Sequence, residues 1–306
     1  MRKFLLQLAA FCALLLILLT CLVFRAGGNT DDYYNKFASA PPENLILGTS
    51  KASQGLRPEF FEEVLGKKFF NYAFTLEHSP YGPVYLESIK QKVKPGTTNG
   101  IFILTVDPWA ISTVSRTPND PNKFYEFQHC LVDMKHVNLH PNIFYLWKHY
   151  PFQWYKLAFG RETNRYIHQD GWMEVTIEMN PEAVAWRLRR KIIDYSEKKR
   201  PLYNYSSLRY AYLKETIGWL NERGDVYLVR LPEHDQVYRI GDNLVPRFDS
   251  LMNALGPLTK GYYNMTPDST SYQYVDGNHL YRESAEHASR RVAEFVKRAT
   301  RKMEKQ

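Results

Sequence analysis

Cysteine is almost missing from the part of this chain that would fold. Of 3 cysteines in 306 residues, Cys12 and Cys21 lie in one N-terminal apolar run, and Cys130 stands alone outside it. An intrachain disulfide and a cysteine metal site are thereby excluded from the folded region, so its core must hold it together unaided. The 9 histidines form no cluster with glutamate at metal-ligand spacing; His140 and His149 match none of the common motifs. No cofactor and no metal are expected. Internal repeats and low-complexity tracts are also lacking. The formal charge is +8, yet no compact basic block with interleaved aromatics occurs. A nucleic-acid partner is therefore not expected. Much of the charge sits in "RRVAEFVKRATRKMEKQ", which reads as the solvated face of a helix. Attraction to anionic lipid or an acidic glycan is its second reading.

What is present begins with "FLLQLAAFCALLLILLTCLVF", Phe4 to Phe24, interrupted only by Gln7. As a helix it would rise about 31 Å, enough for a bilayer core. Arg2 and Lys3 precede it, and Asp31 and Asp32 follow Arg25. The positive-inside rule then puts the N-terminus in the cytoplasm. Residues 1–25 are expected to be a single-pass anchor in the inner (cytoplasmic) membrane, with the rest on the periplasmic or extracellular side. A cleaved signal peptide competes, but this run is longer than a signal's apolar region and lacks an A-x-A site. "LLTC" is a poor lipoprotein box, because Thr20 precedes the cysteine and the apolar run continues past it. Residues 26–43, with Gly and Pro, read as a polar linker, and 44–306 as one domain.

Hydrophobic residues make up 44% of the chain, so a sizeable core is possible. "NLILG" (44–48) reads as a strand buried on both faces, "RPEFFEEVLGKK" (57–68) as a helix and "FFNYAF" (69–74) as a strand. "YGPVYLESIKQKV" (81–93) is again helical by period, and "GIFILTV" (100–106) is the strongest strand. This alternation predicts an α/β fold with a parallel sheet and helices on both faces. The pattern then breaks. Residues about 107–180, rich in Trp, Tyr, His, Asn and Pro, read as an aromatic-rich insertion after the third strand. Helices are expected over 180–199, opened by Asn180 and Pro181, and over 206–224, stopped by Gly224. Strands follow at 225–232 and 260–265, and a closing helix at 280–303. Trp109, Trp147, Trp154 and Trp172 fall in or beside the insertion, as a sugar-stacking platform or as a small core of its own.

Sites of open parallel sheets gather beyond the carboxyl ends of the strands. "LILGTSKASQG" places Ser50 there, behind a turn-permitting Gly48. "YVDGNHL" places Asp276 and His279 in a loop before the last helix. A serine hydroxyl needs a histidine to take its proton, and the histidine needs a carboxylate on its other nitrogen. "ILGTSKASQGL" and "DGNHL" resemble the first and fifth blocks of the SGNH (GDSL-type) hydrolase superfamily. With G-T-S for G-D-S behind an anchor, the chain is similar to the envelope-facing branch that includes DltD-like and polysaccharide O-acetylation proteins. The resemblance covers Leu45 to about Val106 and about Gly224 onward. It implies a three-layer α/β/α sandwich with a flavodoxin-like sheet, and acyl transfer or ester hydrolysis. Ser50 would be nucleophile, His279 base and Asp276 its orienting acid. An envelope glycan or lipid would be the substrate, and a membrane acyl-donor protein a partner.

The sequence departs from that pattern at two places. No glycine stands in "NYAFTLEHSPYG" before Gly82, so the oxyanion donors would come from Asn71, Ala73, Phe74 or Thr75. The G-x-N-D block is replaced by "TVDPWAIS", with Asp107 near the place of the oxyanion asparagine. Losing one such donor costs about 10²–10³ in rate. Asp107 is read either as a cleft residue or as a strand-end cap before Pro108. Arg230, at a strand end, is a cleft candidate for an acidic group, with a salt bridge as its alternative. His78 and His234 follow strands and read as loop histidines. A non-catalytic assembly or glycan-binding protein on the same fold is the competing class.

Overall fold

The computed structural model describes residues 1–161 and 163–303. It is an α/β fold built on five parallel strands, with one N-terminal apolar helix, α1 (Arg2–Phe24). The strands are β1 (Leu45–Leu47), β2 (Phe70–Asn71), β3 (Gly100–Thr105), β4 (Gly224–Arg230) and β5 (Tyr262–Asn264). Their order is β2-β1-β3-β4-β5, with Leu47 opposite Leu104 and Ile103 opposite Tyr227.

The sheet sits where the apolar runs are because its central strands are covered on both faces. All six residues of β3 are buried. Successive side chains point to opposite faces. Leu45, Leu47, Phe102, Leu104, Val226 and Leu228 enter one apolar cluster. Ile46, Ile101, Ile103, Tyr227 and Val229 enter another. Each such side chain contributes about 1.5–3 kcal/mol by leaving water. The second cluster receives α2 (Ser50–Gly55), α3 (Pro58–Leu65) and, later in the chain, the closing helix Arg282–Met303, through Ala52, Phe61 and Val292. The first receives α4 (Pro83–Lys92) through Val84 and Ile89. Pro58 and Pro83 open their helices, and Gly66 ends α3 in the left-handed conformation at φ 68°.

The insertion is longer than its composition suggested. It includes α5 (Pro181–Ile193), capped by Asn180, and runs to the crossover helix α6 (Ser207–Asn221), capped by Ser206. Before α5 lie short helical turns and an antiparallel pair, Arg165–Ile167 with Met173–Val175. Ser112–Val114 pairs with Tyr203–Tyr205, so the insertion's two ends are stitched together. Part of it shares the domain's core: Leu131, Met134, Tyr145 and Leu146 join the cluster on the sheet's first face. After β4 come two helices absent from the sequence reading, α7 (Asp235–Leu244) and Phe248–Asn253. The closing helix Arg282–Met303 is α8. Arg282, Arg298 and Arg301 are exposed while Ala285, Ala288, Val292 and Val296 are fully buried.

Residues 26–43 are not a free linker. Tyr34, Lys36 and Phe37 are fully buried. Ahead of the short helix Tyr34–Phe37, Asp31 Oδ1 accepts from the Tyr33 and Tyr34 amides, and its other oxygen accepts from Tyr145 Oη. The aromatic pairs in "DDYYNKF" give this segment enough apolar surface to pack. Lys36 Nζ donates to the carbonyls of Asn71 (3.0 Å) and Gly171 (2.5 Å), tying strap, β2 and insertion together.

Burial lowers Lys36 from 10.5 to about 7. A lysine depressed in the folded state is more protonated when unfolded, so stability rises with pH from about 7 toward its unfolded value. Burial acts likewise on Lys92, lowered to about 6. Urea unfolding of the full chain in detergent should therefore show greater stability at about pH 9 than at about pH 6.5. Lys36→Met should gain less over that interval, with the Lys92 share remaining. An equal gain in both proteins would show that Lys36 is charged in the folded state.

Candidate active site

The carboxyl end of β1 is shaped by Gly48. Its φ of 138° suits glycine alone, and a Cβ there would lie 1.9 Å from Thr105 Oγ1 on β3. Its amide donates to Tyr85 Oη (3.0 Å), and its carbonyl accepts from Ser79 Oγ (2.7 Å). The chain then turns at Thr49, and Ser50 opens α2 with its side chain half-buried.

The loop Val275–His279 lies shortly before α8, after β5 and the helical turn Thr266–Ser271. Gly277 takes φ 85°, and the Val275 amide closes the turn onto the His279 carbonyl (2.8 Å). Inside the turn Asp276 Oδ1 accepts from the Asn278 and His279 amides, both at 3.0 Å. Three outside contacts hold the loop: His234 N to the Gly277 carbonyl (2.8 Å), Arg187 Nε to the Val275 carbonyl (2.7 Å), and Lys191 Nζ to Asp276 Oδ2 (2.9 Å).

In this arrangement Ser50 Oγ lies 2.8 Å from His279 Nε2, although the two residues are 229 positions apart. His279 Nδ1 lies 3.0 Å from Asp276 Oδ2 and 3.1 Å from Oδ1. Asn278 Nδ2 is 3.2 Å from His279 Nε2. With the ring proton on Nδ1 facing Asp276, Nε2 is the acceptor for both Ser50 and Asn278. Burial alone would raise the Asp276 carboxyl, but His279 and Lys191 prevail and hold it well below the usual carboxylate range. It is ionised across the neutral range, as the orienting member of such a trio must be.

Beneath the serine, Lys51 is buried with Nζ 2.8 Å from Glu233 and 3.7 Å from Asp107. Asp107 Oδ1 accepts from the Trp109 and Ala110 amides. The residue is thus a cap and an ion-pair partner at the end of β3, not an open cleft group. Arg230 is fully buried, bonded to Asp249 Oδ1 (3.0 Å) and stacked on Tyr238 and Phe248. It lines no cleft, because the salt bridge takes it inward.

Three of the four expected oxyanion positions are occupied otherwise. Asn71 Nδ2 donates to the carbonyls of Ala52 and Leu56, both at 2.8 Å, and its Oδ1 accepts from the Ala73 amide. The Phe74 amide faces Ser79 Oγ and the Gly48 carbonyl. Among the described residues, the Thr75 and Ser50 amides donate to no protein group. His78 is bonded to Thr75 Oγ1 (2.7 Å) and packs at a tilt against the His129 ring; burial, then His129, lowers it to about 3. His234 caps α7. The four tryptophans do not gather at the serine: Trp109 is buried against Tyr195 and Tyr203, Trp172 donates to the Gln54 carbonyl, and Trp147 and Trp154 line an apolar cavity beside α1.

No group of three or more His, Cys, Asp or Glu side chains converges as a metal site among the described residues. No protein-family model matches the sequence, and no curated protein matches it. The site's chemistry is therefore read from geometry. Sequence reasoning missed Lys191, Arg187, Asn278 and the Lys51–Glu233 pair. Glu233 and Lys51 do stand just past a strand end, which was a usable signal. Nothing local to α5 marks Lys191 as the partner of Asp276.

Gly48→Ala should destabilise the chain by at least about 2 kcal/mol, combining overpacking against Thr105 with backbone strain. Denaturant midpoints measure this, and an unchanged midpoint would contradict the close approach of β1 and β3.

Proposed function

We propose that this chain is a membrane-anchored, exported serine acyltransferase or esterase of the SGNH type, acting on a cell-envelope glycan or lipid ester. The strand order 2-1-3-4-5, with an apolar cluster on each face, supports a three-layer α/β/α sandwich of flavodoxin-like form. The observation that carries the reading is the convergence of Ser50, His279 and Asp276 at 2.8 Å and 3.0 Å on one strand end.

In the proposed reaction Ser50 Oγ attacks an ester carbonyl carbon while its proton passes to His279 Nε2. Asp276 accepts the Nδ1–H bond and stabilises the imidazolium. The tetrahedral adduct collapses as His279 returns the proton to the departing alkoxide, leaving an acyl group on Ser50. Water or a glycan hydroxyl then attacks that ester, with His279 as base again. The uncommitted Ser50 and Thr75 amides are the donors available for the oxyanion. Lys191 and Arg187 position the loop and do not touch the reacting atoms.

One observation favours a second reading, a catalytically silent assembly or glycan-binding protein: the Asn71, Ala73 and Phe74 donors are bound within the fold. A fluorophosphonate probe separates the two. Labelling that Ser50→Ala abolishes and His279→Ala lowers nearly as far supports the enzyme, with the double variant adding little because the pair acts as a unit. A folded chain that the probe leaves unlabelled supports the silent reading.

Helix α1 is long and apolar enough to cross a membrane. We place it in the inner membrane with the domain outside, on the charge asymmetry of its flanks. A reporter fused after the last residue should be active on the exported side alone. Activity in the cytoplasm would overturn both the topology and the envelope substrate.

A further inference from the structure

We infer that the insertion docks into membrane lipid beside α1, seating the domain on the bilayer surface. The inference rests on the proposed reading of α1 as a membrane anchor. Its first ground is the helix Ile143–Lys148, which buries Tyr145 and Leu146 while Ile143, Phe144 and Trp147 face outward. A helix of a water-facing domain has one apolar stripe, whereas this one is apolar on both sides. Trp147 is 82% exposed, and Phe159 nearby in the chain is 86% exposed. Large apolar side chains grouped on a surface mark a site of contact.

The second ground is where that surface lies. An apolar cavity of about 380 Å³ separates Leu16, Leu19 and Val23 of α1 from Ile143, Trp147 and Trp154 of the insertion. Leu16 precedes Phe24 by about 12 Å along the helix axis. If α1 spans the bilayer, the walls of this cavity reach hydrocarbon depth, and lipid acyl chains are the occupant whose chemistry fits them. Tyr155, Lys148 and Lys156 flank the patch in the chain. Aromatic rings with polar tips and lysines with apolar stems suit the headgroup boundary.

The docked face is coupled to the site. The Ile167 amide donates to the Gly28 carbonyl just beyond α1 (3.1 Å). In the same hairpin, the Trp172 indole donates to the Gln54 carbonyl (2.9 Å) on α2, the helix that Ser50 opens. Docking would thus hold Ser50 at a set height above the lipid.

The full chain is reconstituted in phosphatidylcholine–phosphatidylglycerol vesicles whose acyl chains carry bromine, a contact quencher of indole fluorescence. Trp147→Phe, at an exposed position the fold does not need, should remove the largest single share of the quenching. Trp219→Phe removes an indole stacked under Arg223 on α6 and should leave the quenching unchanged. A chain that floats with the vesicles after an alkaline wash, yet is quenched equally with and without Trp147, overturns lipid docking and leaves the anchor standing. Equal quenching together with a cross-linked dimer assigns the face to a second copy and overturns it too. A chain that does not float overturns the anchor reading and the docking with it.

Discussion

β1 and β3 run side by side in parallel register, and beyond Leu47 the chain comes so close to Thr105 that residue 48 has room for no side chain. That approach sets the turn at Gly48, and the turn sets where α2 begins. Ser50 is then presented from a strand end buried on both faces, so its backbone has little freedom. Tyr85 and Ser79 complete the pinning by taking up the polar groups of Gly48. In the proposed reaction such rigidity would favour attack, because reacting groups held in place need not be ordered again at each turnover.

Charge is placed with equal economy of movement in a domain that has no disulfide to rely on. Arg209 meets both oxygens of Glu126 at 2.8 and 2.7 Å, fully buried between α6 and the insertion. Arg230 meets Asp249, and Lys51 meets Glu233. The two pairs buried on both sides, Arg209–Glu126 and Lys51–Glu233, add little net stability against apolar replacements, but losing one partner strands the other at a cost of about 3–5 kcal/mol. Their effect here is positional. Each joins a strand end or helix to an element distant in sequence, around the same carboxyl edge of the sheet where Ser50 lies.

The insertion is therefore part of the site's scaffold as well as a surface feature. Through Arg187 and Lys191 it grips the Asp276 loop from above. Through Trp172 it grips α2 from the side. The strap of residues 26–43 links both to α1 by burying Tyr34 and Phe37. Helix α1, insertion and sheet thus share one continuous set of contacts.

Local sequence was enough to place the five strands, most of the longer helices that cover them, and the three groups that meet at the strand end, but not α2, α7 or the helix Phe248–Asn253. Burial on both faces writes itself as unbroken apolar runs such as "GIFILT", and Gly-Asn between Asp276 and His279 is turn chemistry in any context. What the sequence alone could not decide was the destination of side-chain hydrogen bonds. Asn71 was a free donor on paper, yet the fold brings the Ala52 and Leu56 carbonyls to it first. Arg230 at a strand end looked open until Asp249 closed over it, and the polar segment before Asn44 looked loose until the sheet offered its aromatics a surface. Lys191 became the partner of Asp276 only when α5 crossed the loop. Periodicity reports which face of an element is buried, because that depends on near neighbours in the chain. Which polar group meets which depends on approaches between segments far apart in sequence, and those exist only once the chain has folded.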